Sequence, residues 1–252
     1  MDKKTYYAFT HNLCRLVFSA VHRRKFQILQ NRRKAVSDAG YTYKPFDENK
    51  CIFVHIPKTA GVSVSKSLFG NFGGGHDPIS VYRHAFSKEE FYGYFKFTFV
   101  RNPWDRLLSA YNYLMRGGMN AGDRLWAEKN IFVFENFEEF VKKGLDNKGI
   151  LSSAHFKPQY RFICPPFSTT ILVDFVGRYE NLGEDFNYIK SRLPNKSAGE
   201  LPLYNAGASK LSDYRDCYTE ETRTIAGNIY CRDIELFEYD FDEGSGKVIA
   251  GV

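Results

Sequence analysis

The chain is poor in cysteine, and its few cysteines form no recognisable framework. Its 252 residues include five, at positions 14, 51, 164, 217 and 231, without a CxxC pair. An odd, scattered set argues against a zinc site or a disulfide-stapled domain and is typical of free thiols in a reducing compartment. We therefore expect a cytoplasmic protein, and we expect no metal.

Long apolar runs are also absent. No stretch approaches the roughly 18–20 apolar residues of a membrane-spanning helix. The N-terminus lacks the continuous apolar core of a signal peptide. With 43% hydrophobic and 25% charged residues, the chain suits one globular α/β domain with an ample core.

Acidic residues are scarce at the N-terminus. Residues 1–50 hold eleven Lys/Arg and four Asp/Glu, a balance of +7, so the net charge of +6 leaves −1 for the other 202 residues. Apolar side chains recur there at helical spacing, namely Phe9, Leu13, Leu16, Val17, Ala20 and Val21. This pattern predicts a basic helical arm over residues 1–50, ahead of a globular domain over residues 51–245. Such an arm docks on the domain with a solvated basic face, makes peripheral contact with an anionic membrane, or binds a polyanion. We predict no nucleic-acid partner.

Residues 51–69, CIFVHIPKTAGVSVSKSLF, predict a strand, a tight loop and a helix. Backbone N–H groups at the start of such a helix, with its dipole, favour a phosphate or sulfate group. The loop is not a Walker A motif, because its lysine precedes the glycine and does not stand directly before the hydroxyl residue. An anion site other than an ATP or GTP site is therefore indicated.

Residues 95–115, FKFTFVRNPWDRLLSAYNYLM, predict a second strand, a break at Asn102-Pro103 and a helix. Arg101 stands at the carboxyl end of this strand, where open α/β sheets bind their ligands. Ser109 falls about two turns into the helix. A guanidinium at this position suits bidentate recognition of a phosphate.

PKTAGVS followed by FVRNPWDRLLSAY resembles the paired motifs of sulfotransferases that use 3′-phosphoadenosine-5′-phosphosulfate (PAPS), in particular the carbohydrate enzymes of the heparan and chondroitin type. The similarity spans roughly residues 50–242. It implies that Arg101 and Ser109 hold the 3′-phosphate and that the product is adenosine 3′,5′-bisphosphate. It also implies that Ser209 and Lys210 contact the donor from a closing loop, although an ordinary solvated loop fits them equally well. The 5′-phosphosulfate would lie on Pro57, Lys58, Thr59, Ala60, Gly61, Val62 and Ser63.

The transfer itself requires a cation at the leaving phosphate and a base at the acceptor hydroxyl. Lys58 suits the first role. His84 lies where the resembling enzymes place their catalytic histidine, and His155 is the rival base. His84, His155 and Gln159 are further predicted to bind the acceptor, the last two as residues of its groove, and His76 joins the site only if its glycine-rich loop folds inward.

Strands expected to end at residues 56, 100 and about 177, each followed by a helix, predict a P-loop-like, doubly wound α/β fold. Its sheet would be mostly parallel, with helices on both faces.

Residues 117–130 are expected to form an exposed insertion. The acceptor is a hydroxyl, with a carbohydrate favoured. Two other functions remain open, a nucleotide-dependent phosphotransferase and a non-catalytic module that binds phosphorylated or sulfated ligands.

Overall fold

The computed structural model describes residues 2–36, 42–194, 199, 201 and 213–242. Within them, three parallel strands form one sheet: β1 (Cys51–Val54), β2 (Phe95–Val100) and β3 (Phe175–Arg178). Almost every strand residue is buried, as expected for a parallel sheet covered by helices. In register, Phe97 of β2 lies between Phe53 of β1 and Phe175 of β3.

Helices fill most of the remaining described chain. A π-helical turn covers Phe140–Gly144, and short 3-10 turns cover Tyr179–Asn181 and Tyr214–Cys217. The α-helices are α1 (Lys3–Val21), α2 (Arg23–Lys34), α3 (Lys44–Asn49), α4 (Gly61–Phe69), α5 (Ile79–Ala85), α6 (Lys88–Gly93), α7 (Pro103–Met115), α8 (Ala121–Asn130), α9 (Phe137–Glu139), α10 (Lys148–Ser152), α11 (Tyr160–Ile163), α12 (Leu182–Arg192), α13 (Glu220–Ile229) and α14 (Cys231–Phe237).

These elements confirm an α/β fold with a parallel sheet. The strand order is β1-β2-β3, the same as the order along the chain. A doubly wound sheet reverses its direction of winding at one point, and the three described strands show no such reversal. The carboxyl ends of all three strands meet at one edge, and this edge positions the site.

Helix α7 begins where the predicted break falls. The side chain of Asn102 accepts hydrogen bonds from the backbone N–H groups of Trp104 and Asp105, and Pro103 occupies the first helical position, where a missing N–H costs least. The backbone N–H of Asn102 donates to Glu180 (2.6 Å), which also accepts from the Tyr239 hydroxyl (3.0 Å). Glu180 thus orients the start of α7.

The N-terminal helices dock on the domain. Arg33 of α2 forms ion pairs with Asp47 and Glu90. Tyr43 and Phe46 are fully buried in the core around the sheet, so close packing continues across the predicted boundary at residue 50.

Residues 117–130 are mostly exposed and lie between helices, as expected. Most of this segment forms helix α8, whose Ala127 is fully buried. It belongs to a second apolar cluster with α7, the π-helical turn and α13. Among the described helices, none is long and apolar enough to span a membrane.

Candidate functional site

The loop between β1 and α4 has an unusual backbone. Lys58 (φ 70°) and Ala60 (φ 64°) both adopt left-handed conformations, which non-glycine residues rarely do. The buried Thr59 hydroxyl donates to the Ile56 carbonyl (2.9 Å) and holds the turn from inside. Helix α4 then begins at Gly61. The loop therefore presents its backbone N–H groups at a helix start, the arrangement that binds phosphate or sulfate.

Gly61 is required by a close approach. A Cβ atom built on Gly61 would lie 1.9 Å from Cδ2 of His55. The His55 ring is buried under the loop, and burial lowers its pKa well below the usual value. His55 is therefore a neutral packing residue beneath the loop.

Three histidines line up beside the loop. The ring centroids of His55 and His76 are 4.4 Å apart, and those of His76 and His155 are 6.1 Å apart. Nδ1 of His76 lies 3.2 Å from the carbonyl oxygen of His55, so the glycine-rich loop does fold inward. The structure thereby brings His76 into the site.

Tyr113 of α7 joins the histidines to the lysine. The centroid of its ring is 5.0 Å from that of His155, and the Lys58 ammonium nitrogen lies 4.1 Å from the Tyr113 centroid. His155 and Lys58 both remain partly exposed, whereas His55 does not. A molecule at this edge can therefore reach the two side chains.

At pH 7 the imidazole of His155 is neutral and the ammonium of Lys58 is charged. Burial, followed by the neighbouring His76, lowers the pKa of His155 to about 4, so its imidazole is neutral at pH 7. Burial, followed by the charges of Arg101, Arg116 and Arg106, lowers the pKa of Lys58 to about 8. The lysine is still mostly protonated at pH 7.

Arg106 connects the loop that carries Lys58 to the segment that carries His155. This fully buried residue donates from Nε to the carbonyl oxygen of Pro57 (2.9 Å). It also donates to the carbonyl oxygens of Lys157 (3.1 Å) and Ala154 (3.4 Å), which flank His155. One side chain therefore sets the position of the loop relative to His155.

Arg101 lies against the same loop. Its guanidinium donates to the Lys58 carbonyl oxygen (3.2 Å), pairs with both carboxylate oxygens of Asp105 (2.7 and 2.8 Å) and stacks 4.0 Å from the Tyr179 ring centroid. These hydrogen bonds use three of the five guanidinium N–H groups. The structure thus brings Arg101 to the loop.

Gln159 requires a correction. Its side-chain oxygen accepts from the backbone N–H of Arg101 (2.9 Å), its side-chain nitrogen donates to the Arg101 carbonyl oxygen (2.8 Å), and its exposure is 0%. Its own backbone N–H donates to the buried Asp233 (2.7 Å). Because both polar atoms of the Gln159 side-chain amide bond to the backbone of Arg101, this residue stabilises the chain at the end of β2. Gln159 does not line an acceptor groove.

His84 requires a second correction. Its ring stacks on Phe18 of α1, with centroids 4.1 Å apart and planes 4° apart. Burial lowers its pKa to about 4, and the other groups that act on it are Arg83 and residues of the N-terminal helices, among them His11. The structure places His84 beneath the N-terminal arm and not in the row of His55, His76 and His155.

The remaining predicted residues are distributed as follows. Ser63 is buried and Val62 half-buried in the first turn of α4, while Ser109 is half-buried on α7. Ser209 and Lys210 lie outside the described residues. The sequence interpretation missed Arg106 and Tyr113. The i, i+4 spacing of Ser109 and Tyr113, which puts both on one face of α7, is a signal for the tyrosine.

Comparison with known proteins gives a family and several relatives. The profile described as the Sulfotransferase family matches residues 41–240. An uncharacterised protein of Archaeoglobus fulgidus is 34% identical over 116 residues, covering 46% of this chain and 81% of that protein. Carbohydrate sulfotransferase 14 of Homo sapiens is 35% identical over 168 residues, covering 58% of this chain and 42% of the enzyme. Carbohydrate sulfotransferase 11 of Mus musculus is 26% identical over 166 residues, covering 59% and 46%.

The chain thus spans less than half the length of these two carbohydrate sulfotransferases. No solved structure gives a significant match.

Proposed function

This chain belongs to the sulfotransferase family, and from that premise we propose that it transfers the sulfuryl group of PAPS to a hydroxyl of a carbohydrate. One observation carries the proposal. Lys58 stands in a left-handed loop at a helix start, and Tyr113 links it to a neutral, partly exposed His155. A cation and a base therefore face one region at the carboxyl edge of the sheet.

The residues present fit the donor. The loop Pro57, Lys58, Thr59, Ala60, Gly61, Val62 and Ser63 would hold its 5′-phosphosulfate, because the N–H groups at the start of α4 and the Lys58 ammonium favour an anion. Arg101, bonded to the Lys58 carbonyl, would hold the 3′-phosphate together with Ser109. Contacts from Ser209 and Lys210 remain part of the proposal on resemblance alone. When bound, PAPS supplies an activated sulfuryl group with a phosphate as the leaving group.

His155 acts as the base in this proposal. A ring nitrogen would accept the proton of the acceptor hydroxyl as that oxygen attacks the sulfur of the donor. The donor would supply the sulfuryl group, and adenosine 3′,5′-bisphosphate would leave with the electrons of the broken sulfur–oxygen bond. With a pKa of about 4 the imidazole is neutral at pH 7, so one ring nitrogen carries the lone pair that a base needs.

Lys58 acts on the leaving group. Its ammonium neutralises charge that develops on the bridging phosphate oxygen, an interaction that strengthens as the bond to sulfur breaks. Partial burial increases the effect, because the same charge interaction is stronger where water is scarce. Arg106 positions the lysine loop and His155 but does not itself touch the reacting atoms.

The choice of acceptor is supported by the names of two relatives, carbohydrate sulfotransferases 14 and 11. The P-loop-like form of the fold is likewise proposed from the loop at β1 and α4. A cytoplasmic location belongs to the same proposal. It is supported by the odd, scattered set of five cysteines without a CxxC pair.

The proposal is tested by calorimetric titration with adenosine 3′,5′-bisphosphate, with adenosine 5′-monophosphate and with ATP plus magnesium. Sulfate-labelled PAPS is then incubated with a panel of glycans. We expect selective binding of the bisphosphate and transfer of label to a glycan hydroxyl.

Three other results would favour a different function or a different acceptor. Selective binding without transfer to any glycan, peptide or small hydroxyl would favour the non-catalytic module. Preference for ATP with magnesium would favour a phosphotransferase. Transfer to a non-carbohydrate hydroxyl would retain the sulfotransferase activity and reject the carbohydrate.

A further inference from the structure

Helix α1 carries an apolar stripe that faces away from the protein. Phe9, Leu13 and Leu16 are 77%, 63% and 67% exposed, and Val17 and Val21 are also exposed. Successive residues are about 100° apart around an α-helix, so this spacing places the five side chains in one sector. Exposed apolar patches of this kind mark sites of interaction.

The opposite face of α1 makes the contacts with the domain. The buried His11 ring lies 3.2 Å from the Phe86 carbonyl oxygen, and the Tyr7 carbonyl accepts from Arg83 (2.8 Å). Phe18 stacks on His84. Docking therefore uses the less apolar side and holds the stripe outward.

Positive charge stands at both ends of the stripe. Lys3 and Lys4 precede it, the run Arg23-Arg24-Lys25 follows it, and all five residues are exposed. Residues 3–37 contain no Asp or Glu. The ion pairs of Arg32 and Arg33 lie elsewhere on α2 and leave these five residues unaffected.

We propose that α1 lies flat on an anionic lipid bilayer, with its apolar stripe among the acyl chains and its basic ends at the headgroups. This combination of an apolar sector with flanking lysine and arginine suits an anionic membrane surface. A second copy of the chain fits less well. Both ends of the stripe are basic, so a two-fold pair of α1 helices brings like charges together in either direction.

The test uses the full chain in vesicle sedimentation, comparing phosphatidylcholine with an equal mixture of phosphatidylcholine and phosphatidylglycerol. We expect partition onto the anionic vesicles to exceed that onto neutral ones by at least about tenfold at moderate salt. Leu13→Ser/Leu16→Ser should lower the anionic partition by about tenfold or more, because two leucines that would enter the acyl chains are lost. The matched control is Leu125→Ser/Val133→Ser, which removes two apolar side chains that are also exposed and should leave partition unchanged.

A charge variant tests the other half of the proposal. Arg23→Gln/Arg24→Gln should lower partition onto anionic vesicles by about tenfold or more, whereas the exposed pair Lys129→Gln/Lys148→Gln should not. All four positions are exposed, so melting temperatures should match that of the unmodified chain and exclude misfolding as the cause.

Three results would overturn the proposal. The first is equal partition onto both kinds of vesicle. The second concerns heparin, used as a soluble polyanion in a separate binding measurement. If binding to heparin and to vesicles depends on Arg23 and Arg24 but not on Leu13 and Leu16, the natural partner is a soluble polyanion. The third is lipid-free dimerisation in analytical ultracentrifugation that Leu13→Ser/Leu16→Ser abolishes, which would assign the stripe to a second copy.

Discussion

The ammonium nitrogen of Lys58 lies 4.1 Å from the centre of the Tyr113 ring. A cation over an aromatic face is attracted by the negative charge of the π-system. The contact therefore holds a flexible side chain above the loop and beside His155. Several measurable consequences depend on this arrangement.

Replacing Lys58 should separate catalysis from donor binding. Lys58→Ala is expected to lower kcat by about 100-fold or more, because it removes a charge that acts mainly in the transition state. Binding of adenosine 3′,5′-bisphosphate should weaken by no more than about tenfold, since the backbone N–H groups of the loop remain. Single-turnover kinetics and calorimetry measure the two effects. Equal losses in both would show that the lysine serves only to bind the donor.

The pH dependence should identify Lys58. The cation is present below its pKa of about 8 and is lost as pH rises, so kcat/KM should fall above about pH 8. A bound anion favours the protonated form, and the decline of kcat should therefore begin at a higher pH. Lys58→Arg should remove the alkaline decline because arginine does not titrate in this range. If the decline persists in that variant, another group causes it.

His155 and His84 should behave differently on substitution. His155→Gln is expected to lower kcat by about 10²–10⁴-fold through loss of the base. His84→Gln should leave kcat within about twofold and lower the melting temperature, since a ring stacked on Phe18 is lost. Steady-state kinetics and thermal unfolding of both variants check this. Loss of activity in His84→Gln alone would return the base to His84.

Arg101 should determine selectivity for the 3′-phosphate. Arg101→Ala is expected to weaken binding of adenosine 3′,5′-bisphosphate by about 10–100-fold, with little change for adenosine 5′-monophosphate. Asp105→Asn is the companion variant, because it loosens the carboxylate that orients the guanidinium. Titrations of both nucleotides against each variant give the comparison. The same loss for the two nucleotides would remove Arg101 from the 3′-phosphate site.

Gly61 should tolerate no side chain while His55 is present. Gly61→Ala places a Cβ 1.9 Å from the imidazole and should lower the free energy of unfolding by about 1–3 kcal/mol. Gly93→Ala is the control, since nothing lies within 4 Å of its added Cβ. In urea unfolding, His55→Ala/Gly61→Ala should lose less than the sum of the single variants. Simple additivity would mean that the two residues do not constrain each other.

Much of the core motif could be predicted. Strand β2 and helix α7 have the predicted boundaries, because a short apolar run and a proline at the first helical turn are strong local signals. Strand β1 ends at Val54, two residues earlier than expected. The reason is its pairing with β2, in which Val54 is the last residue in register, opposite Thr98. Helix α8 was missed because a short polar surface helix has little periodicity to detect.

The candidate site residues also divide into those that the sequence predicts and those that it does not. The loop around Lys58 and the position of Arg101 follow from residue order along one strand, one turn and one helix, which local sequence determines. Gln159 could not be interpreted correctly, because the same amide can bind a ligand or a backbone. Only the position of Arg101 beside it decides between them.

By itself, the sequence determined the sulfotransferase family, the parallel α/β class and the position of the loop between β1 and α4, since each depends on a contiguous motif. Tertiary structure alone decided which histidine joins Lys58. His76 and His155 lie on segments that are distant in sequence from Lys58 and from each other. The buried Arg106 bonds to the backbone of Pro57, in the lysine loop, and of Lys157, near His155. It also decided that the apolar side of α1 faces outward, because His11, Tyr7 and Phe18 find their partners on the domain. Helical periodicity shows that a helix has an apolar face, but the packing partners determine which way that face points.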